Sequence, residues 1–498
     1  MAKAMAADRD DPETLAELAG QALAQGREEE AEERLSRYLR SHAPDPALLH
    51  WTAMLRRALD RRGEAIAALE QGLRHDPANA GMVHALAHLR LEAGLQASAQ
   101  FEQATRLAPA KAEIRLGLAS ARYAEGEGAR GLSELEAMLA ANPGWMEGHR
   151  QFAQLATLMG QGMRALATVE AALARFPQSD ALRGLAVDLL LAGEHFGPAL
   201  TVADRALAVH GPLARFQLAR AAALDELGRS QEAAAQFAAL GNPTEQGHAV
   251  WWVRHLLRTG RYAEAAEAIE PWLTAPGAEG MWPYAALAWR LTGDPRSEWL
   301  DGQQGRCRVI DLDPEEIGLA DLRAFLGRLH GRSGRFLDQS VRGGTQTDGA
   351  LLARIEPEVV RLRDVLRREV ARFAQSLPAP DAGHPMLSQP RPARPRFAGS
   401  WSVRLAGAGF HTAHHHPQGW ISSALYITVP EGLAEGQGHL DLGGAPAALG
   451  IELAPRLTVA PRPARLVLFP SWMWHGTRPF PSGERMTVAF DVARAQPA

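Results

Sequence analysis

The chain has 498 residues, 46% hydrophobic and 22% charged, with 53 Lys+Arg against 57 Asp+Glu for a formal net charge of −4. That length permits two or three domains with real cores, and the near-neutral balance argues against nucleic acid, since phosphate binding needs a concentrated basic excess. One cysteine, Cys307, excludes an internal disulfide; no secretory signal follows Met1, and no run approaches the roughly 18 apolar residues of a membrane span, so a cytoplasmic protein with no membrane partner is expected.

The first 300 residues repeat. Prolines closing helical stretches fall at Pro77, Pro109, Pro143, Pro177, Pro212, Pro243 and Pro276, and glycines at Gly63, Gly94, Gly128, Gly162, Gly193, Gly228, Gly260 and Gly293. Two punctuators locked to one period of about 34 residues predict a repeat architecture. Each unit reads as two helices, with Gly in the turn between them and Pro ending the second. Small residues recur where helices approach, as in Gly228-Arg229-Ser230-Gln231-Glu232-Ala233-Ala234 and Gly260-Arg261-Tyr262-Ala263-Glu264-Ala265-Ala266. The unit resembles the tetratricopeptide repeat over about residues 12 to 295, roughly eight copies. A stacked solenoid follows, because no single helix pair buries its own apolar face. The groove of such a solenoid implies a peptide or protein partner.

After about Asp301 the pattern changes. Cys307 to Leu312 reads as a short strand, and Asp313-Pro314-Glu315-Glu316 as a helix start with acidic residues at its positive end. Val359, Leu362, Leu366, Val370 and Phe373 form an amphipathic stripe within a helix over 355–377. Six prolines between Pro378 and Pro395 make a stiff connection. Strands are expected at Ser400–Leu405, Ile421–Val429, Arg465–Phe469 and Met486–Val492, separated by Gly/Pro turns, which is the grammar of an antiparallel barrel or jelly roll. The domains expected are a solenoid over 12–298 and a jelly-roll domain over 299–498. The latter divides into a helical part 313–377, a Pro-rich connection 378–395 and a barrel core 396–493.

Candidate chemistry concentrates in Phe410-His411-Thr412-Ala413-His414-His415-His416-Pro417. On an extended segment His414 and His416 share a face while His415 points away, and the residue before Pro417 is pushed toward extended backbone. His475 follows an apolar strand, and Arg485 comes ten positions later. In the last strand Arg485, Thr487 and Ala489 alternate with Met486, Val488 and Phe490, giving one polar, small face. A guanidinium and a hydroxyl on that face suit a carboxylate, since Arg presents a bidentate fork.

These residues resemble the 2-oxoglutarate/Fe(II)-dependent dioxygenases, built on a double-stranded β-helix, and more narrowly the 2-oxoglutarate-Fe(II) oxygenases of bacterial tetratricopeptide-repeat proteins. The matching segments are Asp338 to Thr347, Ser400 to Leu405, His414 to Ser423, Leu468 to Gly476 and Arg485 to Asp491. The resemblance implies His414, His416 and His475 as iron ligands, Arg485 and Thr487 as the clamp on the distal carboxylate of 2-oxoglutarate, and Tyr426 as a further cosubstrate contact. It implies Fe(II), with 2-oxoglutarate and O2 as cosubstrates, and hydroxylation of a C–H bond, here of a peptide or protein held with help from the repeats. The family's usual triad has Asp two residues after the first His; His416 stands there, and Asp441 is an alternative carboxylate for which no spacing argues. A cupin-like metal-binding protein also fits His414-x-His416 and the spacing from Pro470 to His475, although Arg485 has no set role there. A non-catalytic repeat adaptor leaves the His and Arg residues unexplained.

Overall fold

The computed structural model describes residues 11–331, 341–347 and 349–494. The first ten residues, and Asp338-Gln339-Ser340 of the resemblance, lie outside them. Eight helix pairs run from α1 (Pro12–Gln25) and α2 (Glu28–Ser41) through α3 (Pro46–Ala58), α4 (Arg62–His75), α5 (Ala80–Glu92), α6 (Ser98–Leu107), α7 (Ala112–Ala124), α8 (Gly128–Ala141), α9 (Met146–Leu158), α10 (Gly162–Arg175), α11 (Asp180–Ala192), α12 (Phe196–His210), α13 (Ala214–Glu226) and α14 (Ser230–Leu240) to α15 (Gln246–Arg258) and α16 (Tyr262–Ile269). A further helix, α17 (Trp282–Thr292), follows. The N-terminal region is therefore a helical-repeat solenoid of the tetratricopeptide type. Among the described residues, no helix is long and apolar enough to cross a membrane.

Local chemistry sets the period. Asp11, Asp45 and Asn79 cap α1, α3 and α5, each side chain accepting the amide hydrogen three residues on. Six of the seven prolines fall within three residues of the end of the second helix of a pair, as expected, whereas Pro276 falls seven residues beyond α16. The turn between helices is instead marked by left-handed backbone at Gly26, Asp60, Gly94, Gly126, Gly160, Glu194, Gly228, Gly260 and Gly293. Only half of the glycines read as turn markers hold that position. Gly128 and Gly162 open α8 and α10, Gly63 is the second residue of α4, and Gly193 precedes the left-handed Glu194. The left-handed residue lets the next amide reach back to a carbonyl of the previous turn, as Leu95 N to Arg90 O at 2.8 Å and Arg229 N to Leu224 O at 2.9 Å. Asp60 and Glu194 accept this geometry at a steric cost that glycine avoids. Ala31, Ala65, Ala165, Ala199, Ala233 and Ala265 are all buried at the helix crossings. At Gly131 a β-carbon would stand 3.0 Å from the Ala119 carbonyl oxygen, tighter than ordinary contact, so that crossing favours glycine.

The described residues form two compact units. The first holds 11–137 with 349–360. In it Ile355 packs against the core around Leu49, Leu69 and Met82, and Arg354 donates to the Gly94 carbonyl at 3.3 Å. The second holds the later repeats together with the β-structure.

In the second unit, β1 (Arg308–Asp311) forms where expected. The next helix does not start at Asp313: a single turn, closed by Leu319 N to Pro314 O at 2.9 Å, ends at left-handed Gly318. Only then does α18 (Leu319–His330) begin. Further on, α19 (Pro357–Ser376) buries all five residues of its predicted stripe. The remaining strands are β2 (Val341–Gln346), β3 (Phe397–His411), β4 (Gly419–Thr428), β5 (Leu440–Leu442), β6 (Leu457–Val459), β7 (Arg465–Pro470), β8 (His475–Thr477) and β9 (Glu484–Ala493). They make an antiparallel six-stranded sheet of order β1-β7-β4-β9-β3-β2 and a three-stranded sheet β6-β5-β8. This is the jelly-roll architecture. Its core gathers Tyr426, Val467 and Phe469 from the large sheet, with Met473 from the turn after β7, against Leu440, Leu442 and Val459 from the small one, each large side chain contributing on the order of 1.5–3 kcal/mol.

Candidate metal centre

Three imidazoles converge although they do not lie on one regular strand. His414 forms an isolated bridge to His475: its amide donates to the His475 carbonyl at 3.0 Å, and the His475 amide donates back at 2.9 Å. The His416 amide is held by the Ser471 carbonyl at 2.8 Å. All three histidines are thereby anchored by backbone hydrogen bonds. One nitrogen from each of His414, His416 and His475 lies within 4.8 Å of the other two. Among the described residues they are the one such group of histidine, cysteine or acidic side chains.

The other ring nitrogen sets each tautomer. Nδ1 of His414 faces the Thr412 carbonyl at 2.9 Å, and Nδ1 of His475 faces the Met473 carbonyl at 2.9 Å. A carbonyl oxygen only accepts, so Nδ1 carries the hydrogen and Nε2 carries the lone pair. His416 Nδ1 lies 2.8 Å from a carboxylate oxygen of Asp491, which fixes the same tautomer. Asp491 also accepts from the Ser422 hydroxyl at 2.5 Å, and Ser422 bonds to buried Ser471 at 2.9 Å. Burial holds His414 down to about 4 and His475 well below the ordinary imidazole value, so both rings are neutral near pH 7. Three imidazole nitrogen donors, each oriented through its other nitrogen, suit a borderline transition-metal dication.

His415 points away, as expected. Its ring packs on Trp474 with centroids 4.6 Å apart and on Tyr284 at 6.1 Å. Asp441 is engaged elsewhere, bonded to Arg478 at 2.7 and 2.9 Å and to Thr458 at 2.7 Å.

The imidazoles open on a cavity of about 430 Å³, walled also by Gln346, Trp401, Phe469, Arg485 and Thr487. Arg485 is 2% exposed. Its Nη1 donates to the Gly438 carbonyl at 3.2 Å, its guanidinium lies 4.9 Å over the Tyr426 ring, and its Nε is buried with no hydrogen-bond partner among the described residues. Among the described residues no carboxylate pairs with it, and burial pulls it below its ordinary pKa. Tyr426 is fully buried beneath Arg485, with its hydroxyl also lacking a partner among the described residues. An uncompensated buried guanidinium is costly, which makes this cavity receptive to an anion.

Two residues escaped the sequence reading. Asp491 continues the alternation Arg485, Thr487, Ala489 by one more step, so period two alone points to it. His411 ends β3 and lines the same cavity, its amide donating to the Thr477 hydroxyl at 2.9 Å; nothing in its sequence context separates it from the triplet.

No curated protein matches this chain. Solved structures similar to it include a tetratricopeptide repeat protein from Parabacteroides merdae, 19% identical over 44% of this chain and 86% of that one, with a TM-score of 0.31. The human IFIT1 dimer with PPP-AAAA is 18% identical over 57% and 80%, with a TM-score of 0.26. A Pseudomonas putida prolyl-4-hydroxylase is 18% identical over 38% and 92%, with a TM-score of 0.27. Residues 399–491, which carry all three histidines, Arg485 and Asp491, match the family described as "Putative 2OG-Fe(II) oxygenase".

Proposed function

We propose that the protein is a 2-oxoglutarate- and Fe(II)-dependent dioxygenase that hydroxylates a C–H bond of a peptide or protein held with help from the repeats. The observation that carries this reading is the pairing, in one cavity, of three convergent imidazole nitrogens with a buried guanidinium that has no carboxylate partner among the described residues. His414, His416 and His475 would hold the metal. Arg485 would take the distal carboxylate of 2-oxoglutarate, with Thr487 beside it and Tyr426 supporting the guanidinium from below. When bound, the metal supplies oxidative decarboxylation of 2-oxoglutarate by O2, giving succinate, CO2 and one oxygen atom for the substrate carbon.

The chain's own residues do the rest. Thr412, Met473 and Asp491 aim the three rings, while Trp401 and Phe469 limit water in the cavity. The missing triad carboxylate is offset by Asp491, which contributes its negative charge through the far nitrogen of His416. A cupin-like site would use the same imidazoles, but buried Arg485 favours the dioxygenase. The division into a repeat region, 12–298, and an oxygenase region, 299–498, belongs to this proposal.

Anaerobic calorimetry of 2-oxoglutarate into the Fe(II)-loaded protein tests it. Leaving one buried charge of a pair uncompensated costs about 3–5 kcal/mol, so Arg485→Ala should weaken 2-oxoglutarate roughly two to three orders of magnitude with Fe(II) binding little changed. Arg485→Lys should recover part of the loss, because a point charge lacks the fork. Unchanged affinity in the alanine variant would move the cupin-like reading to first place.

A further inference from the structure

A second cavity, a cleft of about 950 Å³, lies between α11–α17 and the mouth of the β-structure, within the second unit. Its floor is the rim of the imidazole cavity: His411, His475, Gly476 and Thr477 line both. Phe196, Trp251 and Tyr284 come from the helices, and Phe410, Pro446 and Trp474 from the opposite wall.

The walls are joined. Trp474 Nε1 donates to the Pro283 carbonyl at 3.0 Å, Arg258 to the Ala448 carbonyl at 3.0 and 3.1 Å, and Arg290 to the Ala454 carbonyl at 2.7 Å. A cleft built this way is already formed before anything enters it, so binding need not repay closure. Its charges cancel locally. Arg342 pairs with Glu194 at 3.1 Å, Arg254 with Glu226 at 2.5 Å, and Arg478 with Asp441 at 2.7 Å. A polyanion such as RNA needs surplus cations, and a charged peptide would have to break one of these pairs. Arg342 lies on β2, which ends the six-stranded sheet among the described residues, so the rim of the cleft also offers an extended main chain a sheet edge there.

We infer that this cleft receives an uncharged segment of polypeptide rich in aromatic and branched aliphatic side chains, and delivers it to the imidazole cavity. The inference rests on the oxygenase reading and adds the site and the chemical class of its substrate.

The full-length chain, immobilised, should enrich neutral, aromatic-rich sequences from a random peptide display library. A synthetic copy of an enriched peptide, followed by fluorescence anisotropy, should bind about tenfold or more weakly to Trp251→Ala, as for loss of an interface anchor. Ala447→Glu should weaken it similarly; Ala447 is exposed on the cleft wall, so that change does not threaten folding. His414→Ala should leave peptide binding intact while abolishing Fe(II) binding. Enrichment of charged peptides, enrichment of none, binding unaffected by both cleft variants, or tighter binding of a 5′-triphosphate RNA oligomer overturns the inference even where Fe(II) and 2-oxoglutarate bind normally. Absence of Fe(II) binding in the unaltered chain, with the peptide results as expected, instead sinks the oxygenase reading and leaves a peptide cleft.

Discussion

Replacing Asp491 by Asn tests whether a carboxylate one bond removed from the ligands tunes this site. The carboxylate holds the His416 Nδ1 hydrogen at 2.8 Å and the Ser422 hydroxyl at 2.5 Å. Asn keeps the shape and one acceptor oxygen but removes the negative charge that raises the basicity of the His416 ring. Loss of such an outer partner typically lowers metal affinity about 10–100-fold, which is about 1.4–2.8 kcal/mol. Asp491→Ala goes further, since Ser422, which is buried and bonded to Ser471, loses its charged acceptor, at a stability cost of about 1–3 kcal/mol. Anaerobic Co(II) titration followed by visible absorption reads the affinity directly, with urea unfolding run in parallel. Asp441→Asn is the control, because Asp441 is engaged by Arg478 and Thr458. Wild-type affinity in Asp491→Asn, or an equal loss in Asp441→Asn, would refute the assignment of Asp491 as the orienting carboxylate.

Fe(II) stoichiometry should be lost in His414→Ala and His475→Ala and kept in His415→Ala, whose ring packs on Trp474 instead; an equally damaging His415 change would break the proposed ligand set. Trp474→Phe should lower urea stability by about 1–3 kcal/mol by stranding the Pro283 carbonyl, and an unchanged midpoint would show that this seam carries no energy. His384 is buried, accepts at Nδ1 from the Met386 amide and faces the Leu300 carbonyl through Nε2. Burial first of all lowers its pKa to about 4, against 6.5 unfolded. Its contribution is therefore fully present above pH 6.5 and lost as pH falls toward 4, a change on the order of 3 kcal/mol. His384→Gln should flatten the urea midpoint between pH 7 and pH 4.5 relative to the unaltered chain, and parallel curves would count against it.

Period and alternation were legible in the chain. The spacing of Pro77, Pro109 and Pro143 announces helix pairs because proline cannot continue a helix. The stripe on α19 and the strands around Trp401, Tyr426, Leu468 and Val488 follow from which residues must face a core. His414 and His416 could be paired in advance because neighbours two apart on extended chain share a side.

Non-local hydrogen bonding decided the rest. β5, β6 and β8 have three residues each, too few for alternation to register, and exist only because partners align beside them. Asp60 and Glu194 take the left-handed turn positions without glycine since the flanking helices over-determine the geometry. His475 reaches His414 through a two-way backbone bridge across 61 positions of sequence. Asp491 meets His416 because β9 lies beside β4, and the cleft of Trp251, Tyr284 and Trp474 arises where repeats and β-structure touch. No local pattern encodes such meetings: they are fixed by sheet order and by which buried polar groups must find a partner once water is gone.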